Sequence, residues 1–85
     1  IPGERTQTMA LAVVVEIDPA AADTARLLMP RIADSFNGFL SQVDPVAFSR
    51  RGILEIIREE LATRTRFILG EAAVRDLLIT EFRIQ

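Results

Sequence analysis

The sequence predicts an α+β domain: a small sheet of two or three strands with two long helices packed on one face, in the order strand, helix, helix, strand. Three observations predict it. Residues 6–17 alternate large branched and small side chains. Residues 20–43 keep a helical phase across Pro30, and residues 50–69 carry a second apolar stripe at helical spacing. The closing stretch, 74–85, is dense in branched and aromatic residues and holds neither Gly nor Pro.

Ile1 to Arg5 is expected to be a tail, because Pro2-Gly3 breaks regular structure and charges follow at once. Residues 6–85 then form a single domain, all that a chain of 85 residues allows. In the first strand, Thr6 to Ile17, Met9, Leu11, Val13, Val15 and Ile17 share one face. Thr8, Ala10, Ala12, Val14 and Glu16 share the other, where the alanines permit close approach. Asp18-Pro19 starts a helix: Asp caps, and Pro is tolerated in the first turn. Pro30 interrupts that helix at a cost of about 3 kcal/mol or more. The apolar positions Leu28, Ile32, Phe36, Phe39, Leu40 and Val43 stay in phase across it, so one kinked helix is expected. Gly38, between Phe36 and Phe39, is expected to permit close packing against the sheet.

Asp44-Pro45 repeats the start signal and opens a short turn anchored by Val46 and Phe48. A second helix follows from Arg50 to Leu69, with Ile53, Ile56, Ile57, Leu61 and Ile68 on its apolar stripe and Leu54 and Phe67 at the margins. Gly70 stands where a left-handed C-cap belongs. The last strand, Val74 to Gln85, alternates Val74, Asp76, Leu78, Thr80, Phe82 and Ile84 against Arg75, Leu77, Ile79, Glu81, Arg83 and Gln85. A small sheet leaves unpaired edges, which favours self-assembly.

Composition excludes several functions. Hydrophobic residues make up 49% and mean hydropathy is +0.26, which points to a covered face or a partner. Ten basic residues, all arginine, face 12 acidic ones, so no basic field exists to hold nucleic acid. Cysteine and histidine are absent, which removes thiol and imidazole chemistry and nearly all zinc sites. Ser35, Ser41 and Ser49 have neither histidine nor lysine to activate them. The four glycines form no phosphate loop. Glu55, Glu59 and Glu60 interleave with arginines and read as a solvated face, with Glu60–Arg64 the well-oriented ion pair. Arg50-Arg51 reads as a solvated pair despite its poor match with the helix dipole. Asp76 reads as an edge charge or as a partner of Arg75 on an adjacent chain. No apolar run spans a membrane. No catalytic, cofactor or metal residue is assigned.

The closing segment, Ile68-Leu69-Gly70-Glu71-Ala72-Ala73-Val74-Arg75-Asp76-Leu77-Leu78-Ile79-Thr80-Glu81-Phe82-Arg83-Ile84-Gln85, resembles the end of the flagellar basal-body-associated FliL family. That family closes on a small-residue turn, Val, a basic residue, Asp, an apolar run, Thr, an acid, Phe, a variable residue, an apolar residue and Gln. Met29-Pro30-Arg31-Ile32-Ala33-Asp34 is similar to the family's proline-containing helix, and the apolar strand ending in Asp18-Pro19 also fits. Arg83 departs from the pattern at a place often apolar, and Asp44 to Ser49 lacks the family's usual Thr and acids.

The resemblance implies a domain similar to the SPFH domain of stomatin-like proteins. It implies a periplasmic domain at the inner membrane, held through an absent N-terminal anchor to which residues 1–5 are the linker. It implies a non-enzymatic flagellar motor component that forms a ring around the ion-driven stator units and supports them, promoting motility. The implied partners are copies of itself, the periplasmic linker of the stator B subunit and other basal-body proteins. Arg75, Leu77, Ile79, Glu81 and Arg83 are the candidate self-association edge. The alternative is a monomeric regulatory or ligand-binding module of the envelope with no motor role.

Overall fold

A computed structural model describes residues 8–84. The expected tail at residues 1–5, the strand residues Thr6 and Gln7, and Gln85 lie outside the described residues. The elements are β1 (Met9–Ile17), α1 (Ala22–Leu40), α2 (Ile53–Leu69) and β2 (Val74–Ile84). Short 3-10 turns precede α1, α2 and β2. β1 and β2 pair antiparallel in a two-stranded sheet. The predicted class and element order hold.

Each boundary has a local cause. The Asp18 carboxylate accepts the Ala20 N–H at 2.9 Å, and Pro19 opens a 3-10 turn that feeds α1. Pro30 sits inside α1, which continues through it as a kinked helix. Asp44 caps the next turn in the same way, accepting from Val46 N–H at 3.0 Å. Phe48 from that turn stacks on Phe82, with ring centroids 5.5 Å apart. Val46 is exposed, so Phe48 alone anchors the turn.

α2 begins at Ile53 rather than Arg50. Gly52, with φ 82°, turns the chain just before it, leaving Arg50 and Arg51 in the preceding turn. Gly70 has φ 97° and ψ 147°, a region essentially restricted to glycine, so the predicted glycine stop is a Gly-only bend rather than a left-handed helical cap. Its N–H donates to Arg66 O at 2.7 Å. Gly38 serves no close approach: a Cβ built there meets nothing within 4 Å.

The core lies between α2 and the sheet. Ile57, Leu61, Ala62 and Leu77 are buried together, and Leu11, Val13, Val15, Phe36 and Ile79 pack around them. The α2 stripe is centred on Ile57 and Leu61, as predicted, but adds Ala62 and Thr65 and leaves out Ile56. Ile56 and Phe67 face away, 65% and 91% exposed. Thr65 can join the buried stripe because its hydroxyl donates to Leu61 O at 2.8 Å.

The predicted strict alternation of β2 fails at two bulges. Ala12 pairs with Glu81 but Val13 with Ile79, which leaves Thr80 over; Glu16 pairs with Asp76 but Ile17 with Val74, which leaves Arg75 over. Each extra residue flips the phase. The pairs Met9–Ile84, Leu11–Phe82, Val13–Ile79, Val15–Leu77 and Ile17–Val74 consequently all share the β1 core-side face. An irregular sequence pattern becomes one continuous apolar face.

Candidate interaction surfaces

The bulges decide where the five candidate edge residues go. Arg75, extra in its ladder, swings out to Asp18, with Nη2 3.3 Å from the carboxylate. Leu77 is fully buried in the core, and Ile79 is half-buried against it. Glu81 and Arg83 are exposed and paired with each other at 3.2 Å. The structure thus separates Leu77 and Ile79, which face the helices, from Arg75, Glu81 and Arg83, which face solvent. As a backbone edge, the outer side of β2 is unpaired among the described residues, and so is the outer side of β1.

Asp76 has its partners within the chain. Its carboxylate accepts Leu77 N–H at 2.8 Å and lies 3.9 Å from Arg58. Arg58 also meets Glu55 at 3.2 Å and Glu59 at 3.0 Å, and the Glu55 hydrogen bond holds its pKa above the ordinary arginine value. This cluster ties the exposed side of α2 to β2. A second tie joins the helices: Arg64 bonds Glu60 at 3.0 Å, reaches Ser35 Oγ at 3.2 Å and lies 5.0 Å over the Phe39 ring. The predicted Glu60–Arg64 pair is therefore part of a larger contact between α1 and α2.

The serines carry no nucleophilic arrangement. Ser41 Oγ donates to Gly38 O at 3.0 Å and Ser49 Oγ to Val46 O at 2.8 Å, while Ser35 Oγ accepts from Arg64. Among the described residues no group of His, Cys, Asp or Glu is placed to hold a metal ion. No helix among them is long and apolar enough to cross a membrane.

One feature was not visible in the sequence. An open apolar groove of about 390 Å³ separates β1 from α1. Leu11, Val13 and Val15 form its floor and Ala33, Phe36 and Leu40 its wall. Alternation marked the β1 residues as helix-facing, but nothing in one dimension says that α1 leans on α2 and leaves them half-covered.

A family model described as "Flagellar basal body-associated protein FliL" matches residues 2–85. No curated protein and no solved structure matches the chain significantly. The match spans both strands and both helices, including the closing segment that carries the resemblance.

Proposed function

The chain belongs to the FliL family of flagellar basal-body-associated proteins, and from that premise we propose that it is a motor module that assembles with copies of itself around the ion-driven stator units and supports them under load. The family is a flagellar accessory family, not an enzyme family. In this reading the domain lies on the periplasmic side of the inner membrane. It has no catalytic role. Its partners are its own copies, the periplasmic linker of the stator B subunit and other basal-body proteins.

The observation that carries the reading is the family match over residues 2–85. The fold supplies a physical means of assembly. A two-stranded sheet with both outer edges unpaired among the described residues offers rows of backbone donors and acceptors to another chain. On β2, Arg75, Glu81 and Arg83 would meet the neighbour directly, while Leu77 and Ile79 hold the strand in place from the core side.

The groove between β1 and α1 favours the second reading, a monomeric envelope module that takes a ligand. An NMR titration of the domain with the stator B linker peptide separates the two. Saturable shifts clustered on one surface support the motor reading. No shifts at millimolar peptide, with the membrane-anchored full-length protein equally silent, overturn it.

A further inference from the structure

We propose that the exposed face of α2 is a self-complementary contact, on which two copies of the chain lie with their α2 helices antiparallel and Phe67 of each seated beside Ile56 of the other. A contact with two-fold symmetry closes a pair and does not by itself repeat round a ring. The inference therefore stands apart from the motor reading.

α2 is apolar on both sides. It buries Ile57, Leu61, Ala62 and Thr65 against the rest of the domain, while Ile56 and Phe67 stand out into solvent on the opposite side. These two lie about three turns, or about 16 Å, apart along the helix. Thr63 falls between them on the same face, and its hydroxyl already donates to Glu59 O at 3.0 Å, so it brings no unmet polar group to a contact. Phe67 also lies at the Ile17–Val74 end of the sheet, a strand's length from the pair Met9–Ile84 at which the described strands begin and end.

The face carries a knob and a matching hollow. The knob is the Phe67 ring, almost wholly exposed. The hollow, open and about 460 Å³, lies around Ile56 and is lined also by Phe39 and Thr63. A surface with an aromatic ring at one end and an apolar hollow at the other fits an inverted copy of itself.

Charge selects the same register. Glu55, Glu59 and Arg66 run along one margin of the stripe. Two-fold pairing keeps that margin on the same side of both helices. With Ile56 opposite Phe67 of the second copy, that copy's Arg66 falls level with position 57, between Glu55 and Glu59. These two carboxylates, a like-charge pair one turn apart, share the guanidinium of Arg58. Arg66 makes no ion pair among the described residues. The second copy supplies each with what its own chain lacks, and antiparallel helices also oppose their dipoles.

Three turns of one helix make a small contact, below the about 1,200 Å² of a stable complex. Pairing is therefore weak in dilute solution and favoured where copies are held close together. The test is NMR of the whole chain diluted from millimolar concentration, then of a mixture in which only half the copies carry isotope. Shifts at Ile56, Thr63, Arg66 and Phe67 are expected to fade on dilution. An isotope-filtered cross-peak is expected between the Ile56 methyls and the Phe67 ring, which within one chain lie too far apart to give one. Phe67→Ser is expected to abolish both signals while the melting temperature holds, since the ring is exposed. Arg66→Glu is expected to weaken pairing about threefold, and Glu59→Arg added to it to restore the loss. Four results would overturn the proposal: no change on dilution, which would leave the face to a different protein; dilution-dependent shifts centred on β2's outer edge; pairing without the Ile56–Phe67 cross-peak; or a Phe67 ring shielded from solvent at every concentration, which would assign its cover to another segment of the same chain.

Discussion

Arg75 reaches across 57 positions of chain to the Asp18 carboxylate, 3.3 Å away. Arg75 can do so because it is the extra residue of a bulge and is released from the alternation of β2. Asp18 simultaneously caps the turn into α1, and its backbone N–H donates to Ala73 O at 2.8 Å. One residue thereby joins the end of β1, the start of α1 and the start of β2.

That junction gives the fold an acid dependence. The Asp18 pKa is lowered from 3.8, first by the Ala20 N–H and then by Arg75. A lowered carboxylate pKa contributes stability in full above the unfolded value and loses it as pH falls through the folded one. Asp18→Asn should lower the melting temperature at neutral pH and flatten its decline below about pH 4. Thermal melts of both chains between pH 2 and pH 7 measure it. Parallel curves for the two proteins would show that the junction does not titrate as described.

Leu77 is fully buried against Ile57, Leu61 and Ala62. Leu77→Ala should cost about 2–5 kcal/mol, at about 4–8 °C of melting temperature per kcal/mol for a domain this small. A substitution there reports on folding and is useless as a probe of assembly. Charge reversal at both Glu81 and Arg83 is the cleaner probe. It should shift the sedimentation profile of the membrane-anchored protein while changing stability by less than about 0.5 kcal/mol.

The glycines divide by backbone, and two substitutions should move stability in opposite directions. Gly70→Ala forces a side chain into a positive-φ conformation and should cost about 1–2 kcal/mol. Gly38 lies inside α1 with open space around it, so Gly38→Ala should add about 0.5–1 kcal/mol. Denaturant titrations of the two variants check both signs.

Much of the fold was legible because its punctuation is strong. Asp18-Pro19, Asp44-Pro45 and Gly70 mark real boundaries, each through a cap or a backbone angle that few residues provide. The phase of β2 was not legible. A bulge changes which residues face the core without changing composition, so strict alternation groups Leu77 and Ile79 with Arg75, Glu81 and Arg83 although the sheet separates them. The α2 stripe, right at Ile57 and Leu61, lacks Thr65 in the sequence because a threonine looks solvent-facing until its hydroxyl finds Leu61 O. The groove was illegible altogether, since it depends on where α1 leans.

Arg64 should prove the main tie between the helices. Arg64→Ala removes the contacts to Glu60, Ser35 and Phe39 and should cost about 1 kcal/mol. Arg64→Lys keeps the charge and loses the planar fork, so it should recover only part of that. A double-mutant cycle with Phe39→Leu should give a coupling of about 0.5–1 kcal/mol.

The most direct measurement of the proposed motor role is swimming under load. The gene encoding this chain would be deleted in its own bacterium, and speed measured as the medium is made more viscous. The account predicts that filaments still assemble, that speed falls most steeply at high viscosity, and that the full-length protein restores it. Unchanged speed and stator occupancy at every viscosity in the deletion strain would contradict it.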